Sequence, residues 1–126
     1  MKVLLVDDDA EFAEMVQFSL TRQGFEVIVA NNGVEGLNFA RTLAPDAILL
    51  DFMLPDLDGF SVCKILRSRP RTKDVPIIFL SALSDVAARV RGIKLAAGRY
   101  FTKPVELKEL AEGIRAVVDE HTGKAA

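Results

Sequence analysis

The chain has 126 residues, half of them hydrophobic and 27% charged, with a net charge of −2; this is the size and balance of one globular domain with its own core. So small a charge excludes strong attraction to nucleic acid or acidic lipid, and direct nucleic-acid binding by this domain is not expected. A single cysteine, Cys63, rules out an internal disulfide, and no apolar run approaches the ~20 residues of a membrane span. Met1-Lys2 leads straight into strand-like sequence with no signal-peptide pattern, so the expected location is cytoplasmic and off the membrane.

Apolar runs of strand length alternate with helical periodicity along the chain. Lys2–Val6 reads as a first strand and ends in Asp7-Asp8-Asp9. Phe12, Val16 and Leu20 then recur at helical spacing with Met15 beside them, and Asp9 reads as that helix's cap. Glu26–Ala30 is a second strand, after which Asn32 with Glu35 three positions on resembles a capping box. Residues 47–50 form a third strand that stops abruptly at Asp51. In Pro55-Asp56-Leu57-Asp58-Gly59, a turn, the two acids read as caps rather than catalysts. Cys63, near Val62 and Ile65, reads as a small buried hydrophobe.

A fourth strand, residues 76–80, stops at Ser81, and Ser84 and Asp85 open a helix carrying Val86, Val90, Ile93 and Ala97. A fifth, residues 99–102, stops at Lys103. Leu107, Leu110, Ala111, Ile114 and Val118 form one stripe on the last helix. The domain is expected to cover residues 1–120, with 121–126 as a flexible tail carrying the solvated His121. Five such repeats argue a doubly wound α/β domain on a parallel sheet, its Val/Ile/Leu/Phe-rich strands covered by helices on both faces.

In doubly wound sheets, ligands bind beyond the carboxyl ends of the strands. Asp7, Asp8, Asp51, Ser81 and Lys103 all fall at such ends. Carboxylates, a hydroxyl and an ammonium converging there describe a site for a divalent cation and a phosphoryl group. Mg²⁺ (or Mn²⁺) suits an oxygen donor set, with Asp8 and Asp51 ligating directly and Asp7 through water. Asp51 is the expected acceptor, Lys103 a second positive charge, and Ser81 a donor to a phosphoryl oxygen.

Four segments, Leu4-Leu5-Val6-Asp7-Asp8-Asp9, Leu49 through Phe60 around Asp51, Leu80-Ser81-Ala82 and Thr102-Lys103-Pro104, together resemble the receiver domain of bacterial two-component response regulators. The resemblance runs from about Lys2 to Val118. It implies a flavodoxin-like, CheY-like (βα)5 fold with strand order 2-1-3-4-5. It implies that Asp51 takes a phosphoryl group from the phosphohistidine of a sensor histidine kinase or a histidine phosphotransfer protein. The metal would be held by Asp8, Asp51 and the backbone carbonyl of Met53, with Asp7 assisting. Ser81 and Tyr100 would form the conformational switch, changing the surface of the fourth helix, fifth strand and fifth helix. Output would pass to a downstream effector domain or protein, with room for a phosphorylation-dependent homodimer. Such a domain catalyses only its own phosphorylation and dephosphorylation, so it is a signalling unit rather than an enzyme.

Val105, Gly98-Arg99 and Ala96 differ from residues common in relatives, all at the switch surface, and argue against the family's winged-helix transcription factors. Two readings compete within this chemistry. An aspartyl-nucleophile phosphatase would carry a second Asp two residues past the nucleophile, where Met53 stands. A degenerate receiver acting only as an interaction module would lack part of the pocket set, which here is complete. A flavin or nucleotide carrier needs a Gly, Ser or Thr loop after the first strand, where Asp7-Asp8-Asp9 repels a metal-free anion.

Overall fold

The computed structural model describes residues 1–82 and 99–123, the side chains of Ser81, Ala82 and Arg99 excepted. The helix expected from Ser84 to Ala97 lies outside the described residues, as does Gly98. In chain order the elements are β1 (Lys2–Val6), α1 (Ala10–Arg22), β2 (Glu26–Ala30), α2 (Gly33–Leu43), β3 (Ala47–Asp51), α3 (Gly59–Ser68), β4 (Ile77–Ala82), β5 (Arg99–Lys103) and a C-terminal helix (Leu107–Thr122). All strands pair in parallel, in the order β2-β1-β3-β4-β5. The order turns back between β1 and β3, which opens a crevice at their carboxyl ends. This is the topology the resemblance implied.

Alternation along the strands divides the core into two layers. Val3, Leu5, Leu49, Ile78 and Leu80 pack with Val16 and Leu20 of α1 and Leu110 and Ile114 of the C-terminal helix. Leu4, Val6, Ile48, Leu50, Ile77 and Phe79 face the other way, against Leu37 of α2 and Val62 and Leu66 of α3. Because both faces are covered, the strands are apolar without a polar phase. Each such fully buried side chain contributes roughly 1.5–3 kcal/mol over its exposed state, and that burial fixes where the strand ends fall.

Three helices begin on the caps the sequence marked. Asp9 accepts from the Phe12 amide at 3.1 Å, Asn32 from Glu35 at 2.8 Å and Asp58 from Ser61 at 2.7 Å. The return bond of the Asn32 box runs from the Asn31 amide to Glu35 at 3.1 Å. Cys63 is buried, as expected, and burial pushes its thiol above the usual range.

Three details go beyond the sequence pattern. Met15 is on the solvent side of α1, half exposed, because Ala13 rather than Met15 completes the buried Val16–Leu20 face. Val117 joins the buried stripe of the C-terminal helix. That helix continues past residue 120 to Thr122, stopping where Gly123 turns to φ 74°, so His121 is an exposed helical residue rather than a tail residue. Among the described residues no helix is long and apolar enough to cross a membrane.

Candidate functional site

The parallel register sets Val6 beside Leu50. One residue further, both chains deliver a carboxylate into the crevice: Asp7 from β1 and Asp51 from β3. Asp7 is fully buried, Asp51 is 6% exposed and Asp8 faces solvent. One carboxylate oxygen from each of the three lies within 4.8 Å of the others. Lys103, the last residue of β5, reaches the same point. Its Nζ donates to Asp7 Oδ2 at 2.7 Å and stands 3.6 Å from Asp51 Oδ2. The ring of Phe12, from α1, lies 4.4 Å beneath that ammonium and keeps it on the pocket side. Nothing in the helical stripe of α1 had marked Phe12 for this place.

The charges work on one another. Burial, helped by the negative charge of Asp7, pushes the Asp51 carboxyl up to about 6, against the pull of Lys103 and the Met53 amide. The group is still mostly ionised at neutral pH. For Lys103, burial opposes the charge, but the hydrogen bond to Asp7 and the charge of Asp51 outweigh it and hold the ammonium above its ordinary range. Asp7 has both oxygens engaged, one by Lys103 and the other by the Asp9 amide at 2.9 Å. Asp8 faces solvent, and the contacts of Asp51 are longer than those of Asp7, 3.3 Å from the Met53 amide to Oδ1 and 3.6 Å from Lys103 to Oδ2. An all-oxygen donor set with two available carboxylates fits a small hard divalent cation, and the engagement of Asp7 fits the indirect role expected of it.

The loop after β3 is held at several points. Phe52 is buried between Phe60 and Phe79, each ring 6.2 Å away. The Met53 amide donates to Asp51 Oδ1 at 3.3 Å, while the Met53 side chain is 62% exposed. Asp56 reaches across to α2 and accepts from the Gly33 amide at 2.7 Å and the Val34 amide at 2.9 Å, two donors a helix start leaves free. Those amides draw its carboxyl below the ordinary range. Both turn acids therefore cap, but on different helices, Asp58 on α3 and Asp56 on α2. Gly59 closes the loop: a Cβ there would lie 2.5 Å from the Asp51 carbonyl oxygen, so only glycine lets α3 start this close to β3.

Of the other expected site residues, Ser81 lies in β4 with its backbone paired to Thr102. Its side chain is outside the described set. Tyr100 is half-buried against the α2/α3 layer of the core. Asp7, Asp8, Asp51 and Lys103 thus meet at one crevice, as their positions at strand ends anticipated. The grip of Asp56 on α2 was not visible, because its partners are over twenty residues away in sequence.

Comparison with known proteins points the same way. Residues 3–115 match the family model of the response regulator receiver domain. The probable transcriptional regulator ycf27 of Guillardia theta is 45% identical over 99% of this chain, and the DNA-binding dual master transcriptional regulator RpaA of Synechocystis is 38% identical over 93%. The chain spans about half the length of these curated relatives, 48% of each. Among solved structures, a putative response regulator from Chloroflexus aurantiacus superposes with TM-score 0.88 at 38% identity, over 93% of this chain and 96% of the other. Both curated relatives carry names of transcriptional regulators. By its sheet order, its acidic crevice and these matches, the chain belongs to the response regulator receiver domain family.

Proposed function

We propose that residues 1–120 are a phosphoacceptor unit in which Asp51 takes the phosphoryl group from the phosphohistidine of a sensor histidine kinase or a histidine phosphotransfer protein. The observation that carries this reading is the meeting of Asp51 with an ammonium at 3.6 Å inside a cluster of acids within 4.8 Å of one another. A carboxylate so placed is ionised, nearly buried and flanked by a fixed cation, which is what an in-line acceptor needs. An Asp51 oxygen forms the new bond to phosphorus as the nitrogen–phosphorus bond breaks, and the imidazole nitrogen keeps the electron pair. Lys103, already held by Asp7, faces the charge that arrives on Asp51. Ser81 donates to a phosphoryl oxygen.

Asp8, Asp51 and the Met53 carbonyl would hold Mg²⁺ or Mn²⁺, with Asp7 assisting through water. When bound, the cation supplies neutralisation of the phosphoryl charge. The new dianion then biases two states of the domain through contacts that differ between them, with Ser81 and Tyr100 as the moving parts. The chain catalyses only its own phosphorylation and dephosphorylation, in the cytoplasm and without itself contacting nucleic acid. A downstream effector domain or protein, or a phosphorylation-dependent homodimer, carries the output. The competing degenerate receiver keeps the fold and loses the chemistry. Incubation with acetyl phosphate and Mg²⁺, read by intact mass, separates the two. A phosphoryl mass gain in the native chain, absent from Asp51→Asn, is expected; no gain in the native chain overturns the proposal.

A further inference from the structure

The cations of this acidic chain are unevenly placed. Residues 64–73 hold Lys64, Arg67, Arg69, Arg71 and Lys73 and no acid, within a chain of net charge −2. One of them is structural. Arg67 turns inward and Nη1 donates to the carbonyls of Thr72, Lys73 and Val75 at 3.4, 3.0 and 2.7 Å. The buried Thr72 hydroxyl donates to the Leu66 carbonyl at 2.6 Å, and backbone bonds Thr72→Arg69 and Val75→Thr72 close the turn. The segment between α3 and β4 is therefore a braced turn that holds its outward side chains in place.

What it presents is a cleft of about 350 Å³ lined by Arg69, Pro70, Arg71 and Thr72, with Arg41 arriving from the last turn of α2. Its walls are mostly carbon, from Pro70 and the arginine stems. Among the described residues, neither Arg41, Arg69 nor Arg71 has a carboxylate within 4 Å. The cleft lies at the amino ends of β3 and β4, so a strand length of about 17 Å separates it from Asp51. The phosphoacceptor chemistry uses none of it.

We propose that this cleft docks an acidic segment of a partner protein, carboxylates on the guanidinium groups and an apolar residue between them on the carbon walls. Arg41, Arg69 and Arg71 all border this one hollow, and a guanidinium meets a planar anion with a pair of hydrogen bonds that a lysine cannot match. The acidity of the chain as a whole disfavours an extended polyanion such as nucleic acid, which needs a long basic track. A short segment needs only this one cleft. Its binding neither requires Asp51 nor alters the crevice there, so this inference goes beyond the phosphoacceptor reading and stands apart from it.

The probe is a short labelled peptide alternating Glu and Leu, followed by fluorescence anisotropy on the full chain at low salt. The native chain is expected to bind it and to ignore the Gln-for-Glu version. Arg69→Ala/Arg71→Ala is expected to weaken binding at least about tenfold, with the Lys pair recovering only part and acetyl-phosphate labelling of Asp51 unchanged. If the double variant melts early, Arg41→Glu, on a separate helix, carries the same test. Absence of binding, equal binding by the variants, or tighter capture of inorganic phosphate or a single-stranded oligonucleotide overturns the proposal.

Discussion

Replacing Asp51 with Asn tests how much strain the clustered carboxylates of the crevice carry. In the native fold the carboxyl sits at about 6 rather than the ordinary 3.8, chiefly through burial and the charge of Asp7. That gap corresponds to roughly 3 kcal/mol against the folded state at any pH above 6. The sign follows from the raised value: the carboxyl contributes fully below pH 4, and that contribution is lost as pH climbs to about 6. An amide keeps the bond from Met53 and removes the charge, so at pH 7.5 in EDTA Asp51→Asn should be more stable by about 1–3 kcal/mol. For a domain this size that is roughly 3–5 °C of Tm per kcal/mol. Urea unfolding in EDTA from pH 4 to 8 is the assay. The advantage should shrink toward zero as pH falls from 6 to 4, while Mg²⁺ at pH 7.5 should narrow it by stabilising the native chain more than the variant. An Asn variant no more stable at pH 7.5, or an advantage that does not change with pH, would refute the electrostatic account.

Other substitutions probe the supports. Lys103→Met leaves Asp7 buried without its cation, and in EDTA should cost roughly 3 kcal/mol, the lower end for a broken buried pair; unchanged urea stability would mean the ammonium is dispensable. Asp56→Ala frees two amides of α2 and should lower Tm at neutral pH. Because the Asp56 carboxyl lies below its ordinary range, its contribution is present above about pH 4 and lost as pH falls further, so native and variant Tm should converge in acid. Gly59→Ala sets a Cβ 2.5 Å from the Asp51 carbonyl oxygen and 2.8 Å from the Phe52 Cα; backbone cannot swing aside like a side chain, and a loss of about 2–3 kcal/mol is expected in denaturant titration, with native-like stability speaking against the close approach.

Much of this protein is written locally. The strands are legible because they are buried on both faces and so run apolar without interruption, as in Leu4-Leu5-Val6 and Ile48-Leu49-Leu50. Caps are legible because Asp9, Asn32 and Asp58 bond only three residues ahead. The site residues announced themselves as polar groups ending apolar strands, and a parallel sheet brings all such ends to one edge. Met15 shows the opposite case: helical spacing alone does not decide on which side of a stripe the core lies, since the facing sheet decides that.

The tertiary structure alone decided the long-range partners. That Lys103 binds Asp7 more closely than Asp51, across 96 residues, depends on how far β5 reaches beside β4 and on the Phe12 ring below. The span from Asp56 to α2, the crowding at Gly59 and the arginine cleft arise where elements distant in sequence pack together. Pattern in a sequence reports which residues are buried and which are polar at an end. Charge perturbation and mutual reach depend on distances of a few ångströms, and those exist only once the layers have closed on each other.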